Sequence, residues 1–373
     1  MLKARTALSV TLVALLGLCN CVFSAENVVS NESTPAISIT FLDIEAGKAA
    51  IIDDSLDPYF DRLQEMEMSA KTGSAISGQT LDAQRQQCRE RYQAGVQPFT
   101  DEDKEVIRRG VQGLYPALRE QYPLFAEMPW SFIKVSNEIE GGLPHTRDKH
   151  IILSEGTCKG FEMIRKIDPE RAALSIASLM LHEQMHVFQR THPGLFDSLY
   201  TGVWGFIKAR EIASCPWLEK HHLVNPDGPD CCWVFPLREG ENTTYIWPLV
   251  VLAEGEGLKR MGRDFRAIAV ELVGSDGRFR PRVAEDGKPV YRNLLEVPEY
   301  HQVFIPTRNI YHPNEASASL FTNIVMSDSL SPRDNMPQAR KEQIDSVLGP
   351  VRKWFSENLK QQPASKSPQS GVP

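Results

Sequence analysis

The chain has 373 residues, 42% of them hydrophobic and 24% charged, and a formal net charge of −7. That is the balance of a globular protein with a substantial core, in one large or two ordinary domains. It lacks the basic face that nucleic acid or an anionic membrane would select, so no nucleic-acid partner is expected.

The first residues read as an export signal. Lys3 and Arg5 precede an apolar run over residues 7–18, too short to span a bilayer comfortably, and Val22-Phe23-Ser24-Ala25 offers small residues for cleavage. Residues 1–25 are therefore assigned to a signal peptide and the mature protein to a secreted or periplasmic location. An uncleaved anchor is the alternative. Cys19 and Cys21 raise lipid anchoring, but Leu18 and Asn20 are poor residues to precede a lipidated cysteine. Without Lys3 and Arg5, 39 basic and 48 acidic residues remain, a net charge of −9. No further apolar stretch reaches transmembrane length, so no stable membrane insertion is expected after cleavage. Cys88, Cys158, Cys215, Cys231 and Cys232 are left. An odd number allows at most two disulfides, with Cys215 to Cys231 or Cys232 the local pairing.

Residues 26–50 are polar apart from a short alternation at 37–41, an edge strand or a leader into the fold. From about 56 to 122 the signals are helical, with Thr100-Asp101-Glu102 opening a helix through Val106, Val111, Leu114 and Leu118. Residues 130–135 alternate like a strand, and 150–153 make a short β run after a Gly141-Gly142 turn. Asp168-Pro169-Glu170 supplies an N-cap, a proline at the first helical position and a first-turn acid, and His192-Pro193-Gly194 closes the long apolar helix between. Residues 194–210 read as an amphipathic helix and the segment to about 241 as a loop. Strands are expected at 245–252, 267–273 and 289–291, with turns at Ser275-Asp276-Gly277 and Asp286-Gly287. Pro313 opens a helix to about 325, a last helix runs through Ile344, Val347, Val351 and Phe355, and 361–373 has the composition of a disordered tail.

The long helix carries His182-Glu183-Gln184-Met185-His186, an HExxH box. Histidines four apart stand one above the other on a helix face, so both imidazoles reach one ion, while the glutamate between them is turned away. Imidazole nitrogen suits zinc, and three protein ligands leave a position for water, whose pKa zinc brings to about 7. A buried, unpaired His-Glu-His trio would be costly without a metal or another partner. The bland reading is a pair of core histidines bonded to backbone or carboxylate.

Three places compete for the third ligand. His192 completes a metzincin spacing, but Gln189 stands where that pattern needs glycine for a sharp turn. Glu254 or Glu256 lies between glycines at a strand end, the setting of a solvated turn. Glu315 follows Pro313 in the first turn of a helix whose next residues, Ala316-Ser317-Ala318, are small enough for close packing on the box helix. Glu315 is favoured, although 129 residues separate it from His186.

The box, the strand before it and the Pro313-Asn314-Glu315 helix start resemble the zincin metallopeptidases, in gluzincin-like form. The resemblance implies an α+β fold in which the active-site helix packs on a mixed sheet, whose edge strand takes an extended peptide by β-augmentation. It would occupy residues 126–360, with a small antiparallel β insert at about 243–305, after a mainly helical region at 26–125. His182, His186 and Glu315 would then bind Zn2+, with Glu183 as general base in hydrolysis of a peptide or protein substrate. A catalytically inactive zincin-fold scaffold and a zinc hydrolase of non-peptide amides are the alternatives. Tyr300, His301, Tyr311 and His312 lie near Glu315 in sequence as possible oxyanion donors, and His145 is a further pocket candidate.

Overall fold

Phe132 and Ile133 are neighbours in sequence but face opposite cores, as the two-residue period of a strand requires. They lie in the central strand of a five-stranded mixed sheet in the computed structural model, which describes residues 37–228, 231–330 and 337–360. The assigned signal peptide and the tail at 361–373 lie outside the described residues. The architecture is α+β.

In the first sheet, β1 (Ile39–Phe41) and β5 (His150–Ser154) run parallel to β3 (Trp130–Val135) on either side of it. The short β2 (Val96–Gln97) continues β1's side antiparallel, and β4 (His145–Arg147) is the outer, antiparallel neighbour of β5. The run at 150–153 is therefore an inner strand; one edge is the three-residue β4, and β1 and β2 lie at the other. On the Ile133 face lie α1 (Ile44–Ile51), α2 (Tyr59–Arg62), α3 (Glu65–Lys71) and α4 (Leu81–Gly95). The Phe132 face carries the larger core, built with α5 (Asp101–Gln121), α6 (Pro123–Ala126), α7 (Glu155–Ile167) and the box helix α8 (Pro169–Thr191).

Beyond α8 the sequence reading needs correction. The helix expected over 194–210 gives way to a short π-helical turn at Leu199–Val203. Gly194 and Gly205 adopt φ of 80° and 75°, which ends helix on both sides, and Tyr200, Trp204 and Phe206 turn inward to pack with Trp233 and Phe304. The end of the segment read as helix contributes β6 (Ile207–Lys208), and the segment read as loop contributes β7 (Glu211–Ile212), α9 (Pro216–His221) and β8 (Trp233–Glu239). Two-residue strands carry no periodicity, so only their partners reveal them.

These strands join β9 (Asn242–Leu252), β10 (Phe265–Ser275), β11 (Arg278–Pro281) and β12 (Tyr291–Asn293) in a second sheet ordered β6-β8-β9-β10-β11-β7, with β12 on β10. The β10–β11 turn holds Asp276 and Gly277 at φ of 53° and 77°, the two positive values that a tight hairpin requires. After α10 (Pro298–Gln302) the chain returns to the first core as α11 (Pro313–Leu330) and α12 (Gln338–Asn358). Among the described residues Cys88, Cys158 and Cys215 are free thiols, so the expected Cys215 pairing is absent. Among the described residues no helix is long and apolar enough to cross a membrane.

Candidate metal centre

Asp168 caps α8 by accepting the Arg171 amide at 3.0 Å, and Pro169 opens the helix. Met180, Leu181, Met185 and Phe188 anchor it fully in the core, fixing the rotation that carries His182, Glu183 and His186. α11 lies against it because Ala316, Ser317 and Ala318 are small and wholly buried. This contact delivers Glu315.

The three ligand candidates converge. His182 Nε2 and His186 Nε2 are 3.1 Å apart, and Glu315 Oε2 lies 3.4 Å from the first and 3.6 Å from the second. Among the described residues this is the group whose geometry can hold a metal ion. Ligands about 2.0–2.1 Å from one tetrahedral zinc stand roughly 3.3 Å from each other, so the three edges fit such an ion. Two imidazoles and one carboxylate are also a donor set that zinc accepts.

Around the ligands the hydrogen bonds are directional. His186 Nδ1 is 3.0 Å from Gln189 Oε1, which turns Nε2 toward the shared point. The Gln189 amide donates to Ser317 Oγ at 2.6 Å and to Asn314 O at 3.1 Å, both on α11. Glu315 Oε1 accepts from Asn225 Nδ2 at 2.7 Å, leaving Oε2 for the imidazoles. Asp227 Oδ1 accepts both the amide (2.5 Å) and the hydroxyl (2.8 Å) of Thr146 on the edge strand β4. Asn314 Nδ2 donates to Asp227 O at 3.0 Å. Arg190, one turn past His186, donates to Asp57 Oδ2 (2.5 Å), Thr146 Oγ1 (3.0 Å), Asp148 O (2.9 Å) and Pro226 O (2.7 Å). Asp57 also accepts from Arg147 Nη1 at 2.9 Å. The box helix, the edge strand, the 225–227 loop and α11 thus form one polar network around the histidines.

The charges are correspondingly displaced. Burial opposes the ionised form of Glu315, but the two histidines outweigh it and hold its carboxyl well below the usual range. Burial also opposes the His186 cation, yet the Glu315 and Asp227 carboxylates raise that imidazole to about 9. Glu183 is raised well above an ordinary glutamate by burial, then by Asp227 and Glu315, with His186 pulling the other way. It is 3% exposed, and its Oε2 has no hydrogen-bond partner. A buried acceptor left open beside such a cluster fits a site that receives a cation and a water.

The other candidates fall elsewhere. His192 caps α8: its Nδ1 lies 3.0 Å from Phe188 O, and its ring stacks on Phe188 at 4.1 Å. Glu254 sits on the second sheet's rim with Lys288 Nζ at 2.7 Å and Trp217 Nε1 at 2.7 Å, and Glu256 is exposed. Tyr300 is buried and donates to Ile310 O at 2.5 Å. His312 Nδ1 accepts the Asn314 amide at 3.1 Å, which supports the start of α11. The Tyr311 phenol is held well above its usual range by burial and then by the Glu315 carboxylate, and it is the aromatic of that group that reaches the site. Sequence reasoning missed Asn225, Asp227, Arg190 and Asp57, which meet only through contacts far apart in the chain. Gln189 was legible: it stands one turn from His186, where a carboxamide reaches an imidazole.

No protein-family model matches the chain, nor does any curated protein or solved structure.

Proposed function

We propose that this chain is an exported zinc metallopeptidase on a zincin-like, gluzincin-like framework, cleaving peptide bonds in a peptide or protein substrate. The observation that carries the proposal is the meeting of His182, His186 and Glu315 at tetrahedral ligand spacing, across 129 residues, beside a buried Glu183.

Zinc held by these three residues would supply a Lewis acid that activates water and polarises the scissile carbonyl. The protein's own part follows from the geometry. Glu183 Oε2, buried and unpartnered, takes the proton from the attacking water and returns it to the leaving amine. Its burial and the neighbouring carboxylates make it a stronger base than a solvated glutamate. Asn225 and Gln189 keep Glu315 and His186 in the ligating orientation. Tyr311, beside Glu315, is the nearby hydroxyl able to turn to the developing oxyanion. An inactive scaffold would have no use for Glu183, whose burial with an open acceptor is costly.

The test is metal content by mass spectrometry beside a peptide-library assay. Wild type should carry about one zinc per chain and His186→Ala none, while Glu183→Gln keeps the metal and loses hydrolysis. No metal in wild type after zinc addition would overturn the proposal, and hydrolysis retained in Glu183→Gln would remove that residue's role.

A further inference from the structure

Val224 is held by its side chain, its amide and its carbonyl, in each case by residues much earlier in the chain. The side chain is buried in the core on the Ile133 face of the first sheet, where among the described residues every other buried member precedes residue 153. The amide donates to Glu67 Oε2 at 2.9 Å, and the carbonyl accepts from Lys71 Nζ at 2.8 Å. Glu67 and Lys71 stand one turn apart on α3, so they share a face of that helix. The residue after Val224 is Asn225, which donates to the candidate ligand Glu315.

We propose that Glu67 and Lys71 are positioning residues of the metal centre: by gripping the amide and the carbonyl of Val224 they aim Asn225 at Glu315. The proposal rests on the metal-centre reading and extends it into the helical region before residue 126.

The link from clamp to ligand is short. The carbonyl that Lys71 holds belongs to the same planar peptide group as the Asn225 nitrogen, so Lys71 sets the plane in which the chain enters Asn225. Asn225 Oδ1 accepts the Asp227 amide at 3.0 Å, which leaves Nδ2 for Glu315 Oε1 at 2.7 Å. With Oε1 taken, Glu315 Oε2 is the oxygen turned to His182 and His186, at 3.4 and 3.6 Å. Beyond Asn225, Pro226 O accepts from Arg190 Nη2 at 2.7 Å, and Arg190 is itself braced by Asp57, again from the early helical region.

Stability alone does not ask for these charges. Glu67 is 1% exposed and Lys71 0%. Burying an ion is costly, and an apolar replacement for a buried ion pair is often neutral or stabilising. Here each charged atom is spent on a direction. Glu67 Oε1 accepts the Gln64 amide at 2.8 Å while Oε2 takes that of Val224. Lys71 Nζ donates to Tyr59 Oη at 2.8 Å and pairs with Glu140 at 3.2 Å besides holding Val224 O. Apolar side chains would fill the same space and fix no register, whereas charge-assisted bonds to both polar groups of one residue fix the loop.

The experiment reads zinc affinity by competition with a chromophoric chelator, and the visible spectrum of the cobalt(II)-substituted protein, whose bands report ligand geometry. Lys71→Met is combined with Glu140→Gln, so that no unpaired charge is left buried. This double variant and Glu67→Met should each weaken zinc binding by about 10–100-fold, the usual effect of losing a group that orients a ligand. Each should shift the cobalt bands as Asn225→Ala does. Adding Asn225→Ala to either should weaken zinc little further, because the clamp acts through that residue. Val270→Ala, in the core of the second sheet, lowers stability away from the loop and should bind zinc as wild type does. If the double variant does not fold, Glu67→Met decides alone. Wild-type affinity and spectrum in Glu67→Met, losses that add in full to that of Asn225→Ala, or an equal loss in Val270→Ala overturns the clamp. A wild-type protein that takes no zinc brings down the metal centre itself, and the clamp with it.

Discussion

Gln189 Oε1 receives His186 Nδ1 at 3.0 Å while its amide nitrogen reaches Ser317 Oγ at 2.6 Å. One side chain therefore orients a candidate ligand on α8 and ties that helix to α11, which brings the candidate ligand Glu315. The glutamine that breaks the metzincin spacing is what makes the Glu315 arrangement hold.

Gln189→Leu should accordingly lower zinc affinity by about 10–100-fold, the usual effect of losing a group that orients a ligating histidine. Competition with a chromophoric chelator measures it. Gln189→Glu keeps the acceptor for Nδ1 and loses the donation to α11, so it should fall between. Wild-type affinity in Gln189→Leu would mean that packing alone orients His186.

The assignment of the third ligand makes a separate prediction. Glu315→Ala should lose zinc on dialysis against a weak chelator, because the two imidazoles that remain cannot hold the ion alone. His192→Ala and Glu254→Ala should retain it, since one caps a helix through Phe188 and the other pairs with Lys288 on the second sheet. Zinc retained in Glu315→Ala would leave the centre without its third ligand and sink the gluzincin-like arrangement.

What could be read in advance follows the distance along the chain over which each feature is encoded. The box, the caps at Asp168 and His192, and the proline-led start of α11 are local patterns, and the structure repeats them. Glu315 was accessible because small residues after an N-terminal glutamate speak of close helix packing. Asn225 and Asp227 were not, because a loop residue acquires meaning only from partners 90 and 81 positions away. The edge strand escaped for the same reason. Three residues carry too little alternation to mark β4 beside the longer and more apolar β5.

Acid should destabilise the fold through histidines held neutral inside it. Burial, with the charges of Lys71 and His312, lowers His222 from its ordinary 6.5 to about 4, and burial lowers His145 and His150 as well. In the unfolded chain His222 takes its proton near 6.5, whereas the folded chain refuses it until about 4. The unfolded state therefore binds more protons in that window, and stability is lost as pH falls through it. The His222 share is about 2 kcal/mol, reduced from the full shift because solvent reaches part of the ring. Urea unfolding at pH 7 and pH 4.5 should show His222→Gln losing less stability than wild type. Equal losses would place the acid sensitivity elsewhere.

Packing behind the metal centre depends on a glycine. Gly110 on α5 faces Ile176 on α8, and a Cβ built there would land on the isoleucine's Cγ2, with its Cβ at 3.1 Å. Helix propensity alone favours alanine over glycine by about 1 kcal/mol. In this contact the overlap should reverse that preference, and Gly110→Ala should destabilise by about 1–3 kcal/mol, the range for overpacking a close-packed core. Ile176→Ala removes the obstructing atoms and is itself destabilising through the cavity it leaves. In that background Gly110→Ala should become neutral or stabilising, giving a coupling of at least about 1 kcal/mol in a double-mutant cycle followed by denaturant unfolding. Because Ile176 lies six residues before His182 on the same helix, Gly110→Ala alone should also weaken zinc binding, and Ile176→Ala should relieve that effect. Strictly additive stabilities would show that α5 and α8 can shift apart freely, so that the position of the box helix is set elsewhere.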